Sequence, residues 1–93
     1  MLDTLKNLIQ LIRERKKKPR EGSYTNELLG DNSLSKAKVL EEINELIYAV
    51  EKNTNKIHES ADVLYHLIVY LEANDIKIED VMDELKKRRK QKG

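Results

Sequence analysis

The chain predicts an all-α fold, a four-helix bundle completed by homo-oligomerisation, on three observations. Apolar residues recur at spacings of three and four in four separate segments, the repeat of an amphipathic helix. No segment alternates apolar and polar residues as a half-buried strand does. Between the four segments stand helix breakers, namely Pro19, Gly22, Gly30, Asn53 to Asn55 and Asn74-Asp75. With 93 residues, one domain spanning 1–93 has a limited core of its own, and association is a natural way to bury more.

Leu2, Leu5, Leu8, Ile9 and Ile12 place a first helix over Asp3 to Lys17. Asp3 in its first turn and the basic cluster at its end both suit the helix dipole. Pro19 ends it, because proline disfavours helix at the preceding residue. Glu21 to Ser35 reads as an ordered loop with one helical turn at Thr25–Leu29, and Gly30 to Ser33 as a turn that caps the next helix.

That second long helix, from about Leu34 to Lys52, carries an apolar arc of Val39, Leu40, Ile43, Leu46, Ile47 and Val50. Lys38, Glu42, Glu45 and Ala49 form a stripe at the edge of the arc, where a second contact surface is expected, and Glu41 lies nearer solvent. Asn53 to Asn55 supply the break and the caps for a third helix, roughly Asn55 to Ala73. One of its faces holds Ile57, Ala61, Leu64, Ile68 and Leu71, and the opposite one Glu59, Asp62, His66 and Val69. Its second half is apolar almost all round, which predicts burial on both sides. A last helix, about Ile78 to Arg89, aligns Ile78, Val81, Met82 and Leu85.

Composition narrows the function classes. The absence of cysteine excludes disulfides, thiolate zinc sites and Cys nucleophiles. The N-terminal stretch is amphipathic and broken by charges, unlike a signal peptide. The apolar run Val63 to Leu71 is too short to span a membrane, so a cytoplasmic protein without a membrane partner is expected. Residues 13–20 and 86–92 carry twelve of the eighteen Lys and Arg residues, yet the net charge is only +1. Such runs ordinarily solvate helix ends, and they also suit a polyanionic small molecule. Nucleic acid is not expected, since no aromatic residue interleaves with them.

The chemistry lies between Glu41 and His66. Glu42/Glu45 and Glu59/Asp62 are acidic pairs at one-turn spacing on consecutive helices. A lone pair of this kind is ordinarily a solvated face. Two pairs, the second in a mostly apolar helix, predict four carboxylates meeting around a cation, because like charges brought together need one. Oxygen-only ligands suit Mg²⁺, or Mn²⁺, and such an ion serves phosphoanhydride hydrolysis. His66, four residues after Asp62, reads as a hydrogen-bonded core histidine. His58 falls at an exposed helix start. Lys38, one turn before Glu42, has the choice of that carboxylate or a phosphate.

Three segments carry a resemblance: P-x-x-GSYT-x-x-LL at Pro19–Leu29, K-V-x-EE-x-x-E at Lys38–Glu45, and E-x-AD-x-LYHL-x-V-x-L at Glu59–Leu71. Together they resemble the phosphoribosyl-ATP pyrophosphatase family, the histidine-pathway branch of the MazG-like all-α nucleotide pyrophosphohydrolases. The likeness spans nearly the whole chain, including VMDEL in the last helix. It implies hydrolysis of the α–β phosphoanhydride of phosphoribosyl-ATP to phosphoribosyl-AMP and pyrophosphate with Mg²⁺. By position it implies Glu42, Glu45, Glu59 and Asp62 as metal ligands, and Glu41, Glu42 and Glu45 as the catalytic acids. Ser23, Tyr24, Thr25 and Lys38 fall on the substrate side. It also implies a homodimer or larger homo-oligomer, and only the one step, without a cyclohydrolase domain.

Where the family reads GEEA, this chain has Leu40-Glu41-Glu42-Ile43. Both replacements are bulkier, so altered packing beside the acids is expected. Two alternative readings are a MazG-like house-cleaning nucleoside triphosphate pyrophosphohydrolase and a non-catalytic helical dimerisation module whose acids only form interhelical salt bridges.

Overall fold

A computed structural model describes residues 1–92, with side chains described through Lys90. Gly93 of the expected domain, and the side chains of Gln91 and Lys92 in its basic run, lie outside the described residues. The elements are α1 (Asp3–Lys17), α2 (Tyr24–Leu29), α3 (Asn32–Lys52), α4 (Lys56–Ala73) and α5 (Ile78–Lys92), with no strand among the described residues. No helix among the described residues is long and apolar enough to cross a membrane.

Among the described residues there are thus five helices where the spacing showed four, because the turn in the loop after Pro19 is a helix in its own right. The Ser23 hydroxyl caps it, accepting from the Asn26 N–H at 3.3 Å. Asn26 stitches the preceding loop down, donating to the Arg15 carbonyl and accepting from the Arg20 N–H, each at 2.8 Å. Gly22, at φ +81°, takes the left-handed conformation this loop needs. Leu28 then anchors α2 in the core, fully buried.

α3 begins two residues earlier than its apolar pattern, since the cap is Asp31, whose carboxylate accepts from the Leu34 N–H at 3.0 Å. The turn into α4 is tight, with Asn53 and Asn55 both left-handed at φ 53° and 49°, a region asparagine tolerates better than most residues. Asn53 closes α3, but the expected cap at Asn55 is not made by its side chain, which forms no capping hydrogen bond.

The core lies where α1, α2 and the second half of α4 meet, built from Ile9, Ile12, Leu28, Ile68 and Val69. Buried on two sides there, α4 is the central helix, as its all-round apolar second half predicts. Arg13 fastens α5 to this core. Its guanidinium meets Glu72 at 3.1 Å and Glu79 at 2.7 Å, which compensates the buried Glu72 carboxylate. The same contact pulls the Glu79 carboxyl down to about 2.

One expectation is reversed. On α3 the stripe of Lys38, Glu42 and Ala49 turns toward α4, with Glu42 and Ala49 buried. The apolar arc instead faces outward, leaving Leu40, Ile43, Ile47 and Val50 between 39% and 57% exposed. α4 repeats the pattern in its first half, where Ile57 and Leu64 are 88% and 52% exposed. The reason lies in α1 and α2, which reach only the second half of α4 and leave the rest of the hairpin uncovered. Leu40 and Ile43 therefore belong to this outer face.

Candidate functional site

α3 and α4 run antiparallel through a tight turn, so residues early in α4 face residues late in α3. This brings the two acidic pairs together. One carboxylate oxygen each from Glu42, Glu45 and Glu59 lies within 4.8 Å of the other two. Glu59 is shared with a second set, in which it meets His58 and Asp62 within the same span. All four acids singled out from spacing are thus in one groove, with His58 at its edge, 3.3 Å from Asp62.

Their electrostatics are unfavourable as they stand. Oε2 of Glu42 and Oε2 of Glu59 are buried without a hydrogen-bond partner, a condition that calls for a specific explanation. Burial, and then the charge of Glu45, push both the Glu42 and Glu59 carboxyls above the usual carboxylate range. A divalent cation fits this donor set. It would satisfy the orphaned oxygens and cancel the repulsion, and carboxylate oxygens are the ligands hard ions prefer.

Lys38 lies one turn before Glu42 but pairs with Glu41, at 3.1 Å, and that contact raises its pKa. Glu41 is half exposed, as the helical wheel suggested, and belongs to neither converging set. Beside Lys38 stands Tyr24, whose hydroxyl is 3.0 Å from His66 Nε2. His66 Nδ1 is 2.8 Å from the Asp62 carbonyl. A carbonyl only accepts, so Nδ1 carries the proton, and in the neutral ring Nε2 accepts from Tyr24. Next to this bond, the Thr25 hydroxyl meets the Tyr65 hydroxyl at 2.5 Å.

The two bonds give the SYT and LYHL segments a joint physical role, since they latch α2 onto α4 beside the acids. They also divide the expected substrate-side residues. The hydroxyls of Ser23, Tyr24 and Thr25 are all engaged within the chain, as a cap and as the two latch bonds. Tyr24 and Lys38 still edge the groove, whereas Thr25 is buried. His66 is the hydrogen-bonded core histidine that its place in the sequence indicated.

Past Glu45 and Glu59 the groove opens into a cleft of about 440 Å³, lined by Glu41, Asn44, Glu45, Tyr48, Ala49, Thr54, Asn55 and Glu59. Sequence reasoning missed Asn44, Tyr48, Thr54 and Asn55. Two of them were within reach of the same spacing argument that found the acids. Tyr48 follows Asn44 by four residues and Glu45 by three, so they share one flank of α3. His58 was missed as an acid partner for the same kind of reason, standing four residues before Asp62.

A model of the phosphoribosyl-ATP pyrophosphohydrolase family matches residues 5–89. The phosphoribosyl-ATP pyrophosphatase of Clostridium novyi is 43% identical over 97 residues, covering 99% of this chain and 86% of that protein. The one from Methanococcoides burtonii is 42% identical, covering 95% and 94%. A histidine biosynthesis bifunctional protein HisIE of Pyrococcus furiosus is 47% identical, covering 96% of this chain, which spans 43% of that longer protein.

Proposed function

The chain belongs to the phosphoribosyl-ATP pyrophosphohydrolase family of hydrolases, and from that premise we propose that it cleaves the α–β phosphoanhydride of phosphoribosyl-ATP. The products are phosphoribosyl-AMP and pyrophosphate, the pathway is histidine biosynthesis in the cytoplasm, and the ion required is Mg²⁺. The observation that carries this reading is the pair of buried, unpartnered carboxylate oxygens on Glu42 and Glu59, converging with Glu45.

Glu42, Glu45, Glu59 and Asp62 would hold the ion, which supplies charge neutralisation at the phosphates and a more acidic bound water. The chain's own residues do the rest. Lys38, held by Glu41 at one end of the groove, draws the polyphosphate in by its charge. Glu41 faces the cleft outside the converging acids and takes the proton of the attacking water. The water oxygen bonds to phosphorus, and the bridging oxygen leaves on the other phosphoryl product. The Tyr24–His66 and Thr25–Tyr65 bonds fix α2 against α4, so that the groove wall beside Lys38 keeps its position.

Pyrophosphate release tests the proposal, with phosphoribosyl-ATP, ATP and the dNTPs compared in Mg²⁺ and in chelator. The expected result is Mg²⁺-dependent turnover with phosphoribosyl-ATP strongly preferred. Preference for the ordinary or deoxy triphosphates would favour a house-cleaning enzyme instead.

The outer face of the hairpin completes the reading. Leu40, Ile43, Ile47 and Val50 on α3, with Ile57 and Leu64 on α4, are exposed apolar side chains on one hairpin, and a contiguous apolar patch marks an interaction surface. A second copy, packing hairpin on hairpin as a four-helix bundle, covers it without needing any charged group. Glutamate at Ile47 is expected to convert the dimer to a monomer and to lower its melting temperature, as read by light scattering and thermal melts. A wild-type chain that runs at the monomer mass of 10.9 kDa at micromolar concentration would refute the dimer.

A further inference from the structure

The groove has two chemically unlike ends, and α3 sets the distance between them. From Lys38 to Tyr48 is ten residues, a rise of roughly 15 Å, with Glu42 and Glu45 between. At the first end the ammonium of Lys38 stands beside Tyr24, whose hydroxyl meets His66. At the second, the cleft continues from Glu45 and Glu59 to Asn44, Tyr48, Thr54 and Asn55.

The described side chains that line this second end include no cation, although the Lys52 ammonium stands over Tyr48, and its carboxylates repel phosphate oxygens rather than attract them. What it does offer is a largely exposed tyrosine ring with two side-chain amides nearby. An aromatic face takes up a flat heteroaromatic ring by stacking. An amide both donates and accepts, as the amino and ring-nitrogen edge of adenine requires. A volume near 440 Å³ is within the ordinary range for a small-molecule site. Lys52 lies over one face of the Tyr48 ring, 5.8 Å from its centroid, so a base stacks on the other face.

We propose that the cleft at the α3–α4 turn is the purine subsite, with Tyr48 as its stacking platform. A nucleotide then lies along α3 with its base at Tyr48 and its phosphates running across the acids toward Lys38. This rests on the reading of the groove as a nucleotide site, and it adds the direction of the substrate and a residue that selects it.

Calorimetry in Mg²⁺ with two probes, AMP and inorganic pyrophosphate, tests the assignment on the full chain. Tyr48→Ala is expected to weaken AMP by about tenfold and to leave pyrophosphate within about twofold, while Tyr48→Phe keeps both. In turnover, Tyr48→Ala raises KM for phosphoribosyl-ATP and holds kcat. AMP binding that is absent from the wild type, or equal in wild type and Tyr48→Ala, overturns the subsite, as does an equal loss of pyrophosphate. AMP binding that depends on Tyr48 without turnover of phosphoribosyl-ATP would keep the subsite and sink the activity. Turnover at an unchanged KM in Tyr48→Ala would do the reverse.

Discussion

Glutamine in place of Glu45 is expected to lower pyrophosphate release from phosphoribosyl-ATP by up to about a thousandfold, the scale seen when one preorganised electrostatic contact is removed from an active site. Glu45 stands between the other acids. It is within 4.8 Å of both Glu42 and Glu59, and its charge contributes to the upward shift of each. It is also exposed, so the replacement opens no cavity and breaks no packing. Helix content should therefore stay at the wild-type level, and the melting temperature should not fall, while turnover falls. Asp62→Asn, on the facing helix, is expected to act in the same direction. Circular dichroism beside the pyrophosphate assay separates lost chemistry from lost fold. Wild-type turnover in both variants would remove these acids from the reaction.

The contrast between what the sequence revealed of this site and what it concealed has a physical basis. Glu42, Glu45, Glu59 and Asp62 were legible because charged residues inside apolar helices break a strong pattern at a fixed spacing. The helices were legible to within a few residues, α2 included, which reads as one helical turn at Thr25–Leu29 and is found at Tyr24–Leu29. Its six residues are too few to carry a period, and its stability comes from Ser23, from Asn26 and from burial of Leu28. Which side of α3 faces inward was not legible. The apolar arc of Leu40, Ile43, Ile47 and Val50 is the natural choice for a core, but α1 and α2 cover only the second half of α4, and the arc stays outside while the Glu42 stripe packs on α4 despite the repulsion between the acids. A single chain's hydrophobic pattern records everything that becomes buried, without distinguishing its own core from a surface that a second copy covers.

The bonds from Tyr24 to His66 and from Thr25 to Tyr65 were hidden differently. Each joins residues about forty positions apart, beyond the reach of any helical period. The family likeness pointed to both segments, and the geometry supplies a reason why they occur together. Substrate contact alone would leave the buried Thr25 unexplained, whereas a latch explains it along with Tyr24, Tyr65 and His66.

The second large effect concerns stability and has the opposite sign from the first. Removing the charge of Glu42 by Glu42→Gln is expected to raise the melting temperature of the divalent-free protein at neutral pH while removing activity. The Glu42 carboxyl is raised above its ordinary value, first by burial and then by Glu45. For a carboxyl shifted that way, the neutral form is the one folding favours. Its contribution is fully present below the unfolded value and is lost as pH rises through the folded one. At neutral pH the wild type therefore carries a destabilising charge that glutamine lacks. A gain of a few degrees is expected, since roughly 1 kcal/mol moves the midpoint of a domain this small by about 4–8 °C. Mg²⁺ reverses the order. By mass action it stabilises a protein whose folded state binds it, and it does so more for the wild type, which keeps all four acids. Melts in chelator and in saturating Mg²⁺ should thus rank the two proteins oppositely. Were the acids only interhelical salt bridges, Glu42→Gln would lower stability in chelator, and Mg²⁺ would shift neither protein.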